Sequence, residues 1–347
     1  MRHLVVLLVV LTATAFAAPR EMYTSTFSIA AVDSASGEVG VAVASRVLAV
    51  GYIVPWSKAS AGAVATQALA NAGFGPLGIQ LLESEMGAEE VLDSLIASDP
   101  DISQRQLGVV DLRGGSASYT GSETLEWAGG VTGPGYAIQG NILVGPEVVE
   151  EMERAYLESE GPLARRLIAA LRAGDDAGGD SRGRQSAAIL VTRPDGGYQA
   201  SSDRLVDIRV ADHVDPVGEL SRIYGLWEPT FMMQVYLEAG GQPETEWALA
   251  IMEEYLAEEQ DPQRRAGMLN NFAWTLATGE PGHEEMALEL ALQAIELAPD
   301  DPNIMDTLAT CHFINGNREQ AIAWEERALE LDPDNAFYLE QLERFRR

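Results

Sequence analysis

Two periods divide the chain. Up to about residue 212, short β-branched and apolar runs are interleaved with segments that are apolar every third or fourth position. From about residue 228 only the second pattern remains. The strand-like runs are TFSIAAV, EVGVAVA, AGAVATQ, RQLGVVDL, SASYT, YAIQGNILV and SAAILVT. The first two are joined by DSASGE, a segment of turn formers that predicts a hairpin. The helix-like segments of this half are GPLGIQLLESE, AEEVLDSLIAS, PEVVEEMERAYLE and PLARRLIAALRAG. Strand pairs come first, then helices, a strand pair, and helices and strands again. That order departs from the strict alternation of a doubly wound parallel sheet and predicts an α+β domain of sheet layers covered by helices.

The helical half repeats itself. Ala287, Ala294 and Pro299 recur as Ala321, Ala328 and Pro333, each displaced by 34 residues, within ALELALQAIELAPDDPN and AIAWEERALELDPDNAF. A small residue that lets two helices touch, followed by a proline between units, resembles the tetratricopeptide (TPR) repeat over roughly residues 265–335. EPTFMMQVYLEAGGQPETEWALAIMEEYLAEEQDPQ reads as a degenerate earlier unit and AFYLEQLERFRR as a solvating cap. The resulting division is a helical repeat domain over 228–347 after a mixed domain over 24–227.

The first residues add a third segment. Arg2 and His3, the apolar LVVLLVVL and the small residues Ala15 and Ala17 around Phe16 have the form of a secretory signal, with cleavage expected after Ala17 because Pro19 disfavours a cut after Ala18. The signal peptide is therefore assigned to residues 1–17, and the expected destination is the periplasm or the extracellular medium. No later apolar run reaches the length needed to span a bilayer, so no membrane span is expected after its removal. Cys311 is the only cysteine, which excludes an intrachain disulfide and a thiolate metal site. The four histidines are scattered, so neither a metal nor a cofactor is expected.

Charge narrows the partners. The chain carries 53 acidic and 23 basic residues, a formal net charge of −30, a balance that repels nucleic acid. Residues 241–347 hold 23 acidic and 7 basic side chains, a net of −16 that describes a solvated face.

Against this background a few residues carry chemistry. Thr26 follows Thr24 and Ser25 at the head of the first strand. A threonine hydroxyl becomes a nucleophile when a base takes its proton, and a chain's own α-amine, with a pKa of about 7.7–8.0, can be that base if the residue is N-terminal. A β-branched residue starting a strand is the structural alternative. Lys58 is the only lysine; the other 22 basic residues are arginines, whose charge is fixed. It is a candidate for an ammonium that tunes a nucleophile. Arg46 closes the second strand, where it either holds a substrate carboxylate or caps the sheet. Gln139 and Asn141 end the strand of YAIQGN; Gln139 is a candidate substrate-binding residue, and the Asn141 amide is a candidate oxyanion donor or a turn residue. Asp180 and Arg184 crowd the glycine-rich AGGDSRGRQ, which is an anion-recognising pocket or an internally bridged loop. It has no Walker lysine and no dinucleotide fingerprint. His213, beside Asp215-Pro216, reads as a capping or hinge residue.

Taken in order from Thr26 to about Leu226, TFSIAAVD, GEVGVAVASR, VPWSKASAGAVATQALAN, GFGPLGIQLL, RQLGVVD, WAGGVTGPGYAIQGNIL, GGDSRGRQSAAILV and DHVDPVGEL resemble the family known as domain of unknown function 1028. The resemblance implies a fold similar to the N-terminal-nucleophile (Ntn) hydrolases, an αββα sandwich of two stacked antiparallel sheets between helical layers, and hydrolysis of an amide or peptide bond in a small substrate. It assigns the nucleophile to Thr26; a lysine at the spacing of Lys58 tunes the threonine in proteasome-type relatives. In relatives the matching threonine follows the initiator methionine. Here eight residues, Ala18 to Ser25, still precede it after signal cleavage, so a second cut is needed. The competing reading is a non-catalytic ligand-binding or scaffold protein. In either case the repeats are expected to engage a protein partner, and a homo-oligomer assembled through the tail is a third reading.

Overall fold

Strand β1 (Thr26–Asp33) and strand β2 (Glu38–Ser45) form the expected hairpin, in antiparallel register from Thr26 opposite Ser45 to Asp33 opposite Glu38. The turn between them is closed by Asp33, whose carboxylate accepts from the Ala35 and Ser36 backbones. The structure, a computed structural model, describes residues 26–232, 235–237, 244–279 and 281–347. The expected signal peptide and the residues up to Ser25 lie outside the described residues.

Among the described residues, ten strands form two antiparallel sheets. The larger has the order β10-β9-β2-β1-β8-β7, adding β7 (Gly129–Gly133), β8 (Tyr136–Asn141), β9 (Ser186–Thr192) and β10 (Arg204–Val210) to the hairpin. The smaller has the order β3-β4-β5-β6, built from β3 (Pro55–Lys58), β4 (Gly62–Ala68), β5 (Arg105–Asp111) and β6 (Ser116–Thr120). Strands β1, β2, β4, β8 and β9 are buried along nearly their whole length, which explains why their sequences run apolar without a polar alternate face.

Strand parity sorts the side chains into layers. Phe27, Ile29 and Ala31 pack against α3 (Glu147–Glu158) and α4 (Leu163–Asp176), with Met152, Leu167 and Leu171 among their neighbours in the core. Ala30 and Val32 point the other way, into an inter-sheet core with Val41, Val43, Ala63, Ala65 and Val110. The outer face of the smaller sheet, including Val64, Leu107 and Val109, is covered by α1 (Phe74–Glu83) and α2 (Ala88–Ser98). The first half is thus helices, sheet, sheet, helices.

After α5 (Pro216–Trp227) a π-helical turn over Glu228–Met232 leads into helices α6 (Glu244–Glu258), α7 (Pro262–Thr278), α8 (Glu284–Leu297), α9 (Pro302–Ile314), α10 (Arg318–Leu331) and α11 (Ala336–Arg346). Helices α7 and α9 begin alike: Asp261 and Asp301 cap the free N–H groups and a proline takes the first helical position. The repeated alanines Ala287, Ala294, Ala321 and Ala328 are all fully buried, as close helix approach requires. The carboxyls of Asp306 on α9 and Glu325 on α10 are both buried; desolvation raises both pKa values, and the charge of Asp306 raises that of Glu325 further.

The tail does not hang free of the sandwich. Arg165 on α4 forks between Glu228 and Glu254, Arg193 reaches Glu244, and the Tyr236 hydroxyl donates to Glu38 at 2.7 Å. Glu38 is fully buried and also accepts from the Leu163 N–H; desolvation pushes its pKa up to about 7. Among the described residues, no helix is long and apolar enough to cross a membrane, and no group of three or more His, Cys, Asp or Glu side chains could hold a metal ion.

Candidate functional site

At the head of β1, strand ends from both sheets converge. Thr26 pairs with Ser45 on one side and Asn141 on the other. The parity that turns Ala30 and Val32 toward the smaller sheet also turns Thr26 and Ser28 there. Opposite them stand Gln67 on β4 and Gln106 on β5, which are direct cross-strand partners. Thr26, Ser28, Ser45, Gln67, Gln106, Gln139 and Asn141 are each 2% exposed or less, so one end of the inter-sheet layer is polar and dry where the other is aliphatic.

Such a layer is stable only if its amides satisfy one another. Gln106 Nε2 donates to the Gly140 carbonyl at 2.7 Å, to Thr120 Oγ1 at 2.9 Å and to the Gly129 carbonyl at 3.2 Å. Its Oε1 accepts from Gln67 Nε2 at 2.8 Å and from Asn141 Nδ2 at 3.0 Å. Gln67 Nε2 also reaches the Thr26 carbonyl and the Gln139 carbonyl, both at 3.3 Å. Ser28 Oγ donates to Gln67 Oε1 at 2.6 Å and accepts from Gln139 Nε2 at 2.7 Å. Thr26 Oγ1 donates to Ser45 Oγ at 3.3 Å. Gln139 Oε1 is buried without a hydrogen-bond partner, and it occupies the space a side chain at position 108 would need: a Cβ on Gly108 would lie 2.1 Å from it.

The backbone is strained around the same point. Ala68 (φ +67°) follows Gln67 directly, and Ile142 (φ +53°) follows Asn141. A left-handed conformation is unfavourable for alanine and more so for β-branched isoleucine, and residues held in it cluster at functional sites.

A cleft of about 850 Å³ lies beyond the end of β2, lined by Arg46, Gly178, Gly183, Arg184, Asp212, His213 and Val214. Arg46 directly follows Ser45, the strand partner of Thr26, so the cleft begins one residue from the polar layer. The exposed Arg46 guanidinium donates to Gln185 Oε1 at 3.2 Å. Arg184 bridges Asp175 at 2.8 Å, and that ion pair holds the Arg184 pKa above its ordinary value while burial raises that of Asp175.

The sequence-predicted residues do not gather in one place. Thr26, Asn141 and Gln139 meet in the polar layer, and Arg46 and Arg184 share the cleft. Gln139, expected at a substrate surface, is locked between the sheets. Asp180 is a buried loop tie: its carboxylate accepts from the Arg46 and Arg182 backbones and bridges the Arg182 side chain. Lys58 stands apart. It pairs with Gly62 at the start of β4, whereas Gln67, which touches Thr26, is five residues along that strand, roughly 17 Å at about 3.3 Å per residue. Its ammonium is exposed and bonded to Glu83, which raises its pKa. The expected pairing of Lys58 with Thr26 is thus corrected: the hairpin β3–β4 turns the lysine away from the head of β1. His213 contacts the Asp215 backbone ahead of α5 and lines the cleft, but the helix cap itself is Asp215, whose carboxylate accepts from the Gly218 N–H.

Gln67 and Gln106 were not singled out from sequence. Their signal is a parity violation: Gln67 shares the inward face of β4 with Ala63 and Ala65, and Gln106 that of β5 with Val110.

Residues 26–220 match the family described as a family of unknown function, DUF1028. The crystal structure of protein SPO2555 from Silicibacter pomeroyi, of the same DUF1028 family, is similar at 33% identity, covering 59% of this chain and 86% of that one with a TM-score of 0.54. A MamA mutant is similar at 18% identity, covering 35% of this chain and 82% of its own, with a TM-score of only 0.22. No curated protein matches the chain.

Proposed function

The chain belongs to the family of unknown function DUF1028, and on that premise we propose that it is an exported Ntn-type hydrolase that cleaves an amide or peptide bond in a small substrate. The observation that carries the reading is the head of β1: a threonine hydroxyl at the start of a central strand, facing a preorganised set of carboxamides at a strained backbone. The neighbouring groups of that network are hydroxyls and amides, which bind protons weakly near neutral pH, so the base in this reading is the α-amine of Thr26 itself. Thr26 is fully buried in the chain as it stands, and cleavage of the Ser25–Thr26 bond is the condition for activity.

With that amine free, Thr26 Oγ1 attacks the substrate carbonyl and passes its proton to the amine. Asn141 Nδ2 donates to the developing oxyanion. The amide C–N bond breaks, the leaving nitrogen takes the proton, and water then hydrolyses the ester to restore the hydroxyl. Arg46 and Arg184, at the adjacent cleft, hold a carboxylate of the substrate by charge-assisted hydrogen bonds. The helical tail, which we read as TPR repeats from the 34-residue period, recruits a protein partner.

A screen of the processed chain against small amide substrates tests this. Thr26→Ser retains hydrolysis and Thr26→Ala abolishes it while the chain stays folded; full activity in the alanine variant removes Thr26 from the mechanism. The scaffold reading keeps one observation in its favour, the complete burial of Thr26, and it takes over if the chain is never cut there.

A further inference from the structure

The polarity of a carboxamide network is decided where it meets groups that cannot change roles. Gln106 is that point. Its amide nitrogen lies against the Gly140 and Gly129 carbonyls, and a carbonyl only accepts. The nitrogen is therefore fixed on that side and Oε1 on the other, where it only accepts. Asn141 and Gln67, which both bond to Oε1, must then present N–H groups to it. Their orientations are thereby chosen as well: Asn141 cannot turn its oxygen toward Gln106 without placing two acceptors face to face inside a dry layer. Gln67, so fixed, extends a donor to the Thr26 carbonyl and leaves its own oxygen to the Ser28 hydroxyl. Asn141 stands directly opposite Thr26 across β1 and β8.

We propose that Gln106 is a positioning residue: anchored by the Gly140 and Gly129 carbonyls of the larger sheet, it sets the amide orientation of Asn141 and Gln67 so that donors, not acceptors, serve the head of β1. The role in catalysis rests on the hydrolase reading above; the orientation itself does not. The device also ties the two sheets at one point, since Gln106 belongs to β5 and its anchors to β7 and β8.

The test uses the full chain as wild type, Gln106→Met and Gln106→Glu. Methionine keeps the volume and removes both donor and acceptor. Glutamic acid keeps an acceptor and, when protonated, one donor toward Gly140. The first readout is hydrogen exchange of the Asn141 side-chain amide, assigned in the ¹H–¹⁵N spectrum by comparison with Asn141→Asp. The positioning role predicts at least tenfold faster exchange in Gln106→Met and restored protection in Gln106→Glu below the pH at which that glutamate ionises. Unchanged protection in a folded Gln106→Met overturns the proposal. The second readout is the rate at which chains beginning at Thr26 appear, because in the hydrolase reading the Thr26 hydroxyl makes that cut itself. Oγ1 bonds to the Ser25 carbonyl carbon, the Ser25–Thr26 C–N bond breaks to free the amine, and water hydrolyses the resulting ester. A tenfold or greater slowing in Gln106→Met, reversed in Gln106→Glu on the acid side, supports the catalytic part; wild-type rates in Gln106→Met overturn it. If wild-type chains never begin at Thr26, the hydrolase reading fails, and the exchange readout still decides the orientation. Should Gln106→Met not fold, the same exchange is read in Gln106→Asn, whose shorter side chain withdraws the acceptor from Asn141: at least tenfold faster exchange supports the positioning role, and unchanged protection overturns it.

Discussion

Thr26 and Asn141 are direct partners across β1 and β8, the last pair of that ladder, and Asn141 is held from the opposite sheet by Gln106 at 3.0 Å. In the proposed hydrolase, a hydroxyl and a carboxamide on adjacent strand ends, with the amide's orientation fixed by a third residue, place a donor near the nucleophile before the reaction begins.

This arrangement separates two cationic residues that sequence alone put together. Arg46 borders the cleft beside the polar layer, and Lys58 sits at the far end of β4 with Glu83. Replacing Arg46 with Gln should raise KM for a carboxylate-bearing substrate roughly tenfold or more with little change in kcat. Replacing Lys58 with Gln should leave both constants unchanged. Steady-state kinetics on the two variants checks the assignment, and a kcat loss in Lys58→Gln restores the lysine to the mechanism.

Gly108 should tolerate no side chain. In Gly108→Ala the new Cβ must displace the Gln139 amide it would otherwise meet at 2.1 Å, disturbing the bonds from Gln139 to Ser28. The expected loss is about 1–3 kcal/mol, as for other overpacked interiors. Urea unfolding measures it; wild-type stability would mean that the layer has slack.

Glu38 should make stability fall as pH rises. Burial dominates its shift and pushes its pKa up to about 7, against the opposing bonds from Tyr236 and the Leu163 N–H and the charge of Arg193; Asp33 adds to the rise. The folded state therefore keeps a proton that the unfolded chain releases at its ordinary carboxylate pKa. This contribution is fully present below that ordinary value, declines as pH climbs through about 7, and is flat above; its size is roughly 3 kcal/mol. Denaturant titrations of wild type and Glu38→Gln between pH 5 and 8 test it. The stability of wild type relative to the variant should fall steadily across that window, and parallel curves contradict the account. The Asp306–Glu325 pair acts in the same direction and is common to both proteins.

Much of the architecture was legible because burial on both faces leaves a continuous apolar signature. TFSIAAV, EVGVAVA and SAAILVT became β1, β2 and β9 almost residue for residue. β3, β7 and β10 were harder. PWSK and GGVTG lack the apolar run, and RLVDIRV alternates with charges because one of its faces is open. The site was half legible. Thr26 and Asn141 stood at recognisable strand ends, whereas the role of Gln106 depends on a register between strands and on a contact between sheets, neither of which a local pattern encodes. The rarity of lysine drew attention to Lys58, but rarity carries no direction in space.

The most direct test of the central claim is the N-terminus of the mature protein, by intact mass and N-terminal sequencing from an exporting host. The account predicts chains that begin at Thr26, with the α-amine released as the base. Chains that begin at Ala18 and stay so would contradict it, because the amine would remain in a peptide bond and Thr26 would be a buried strand residue.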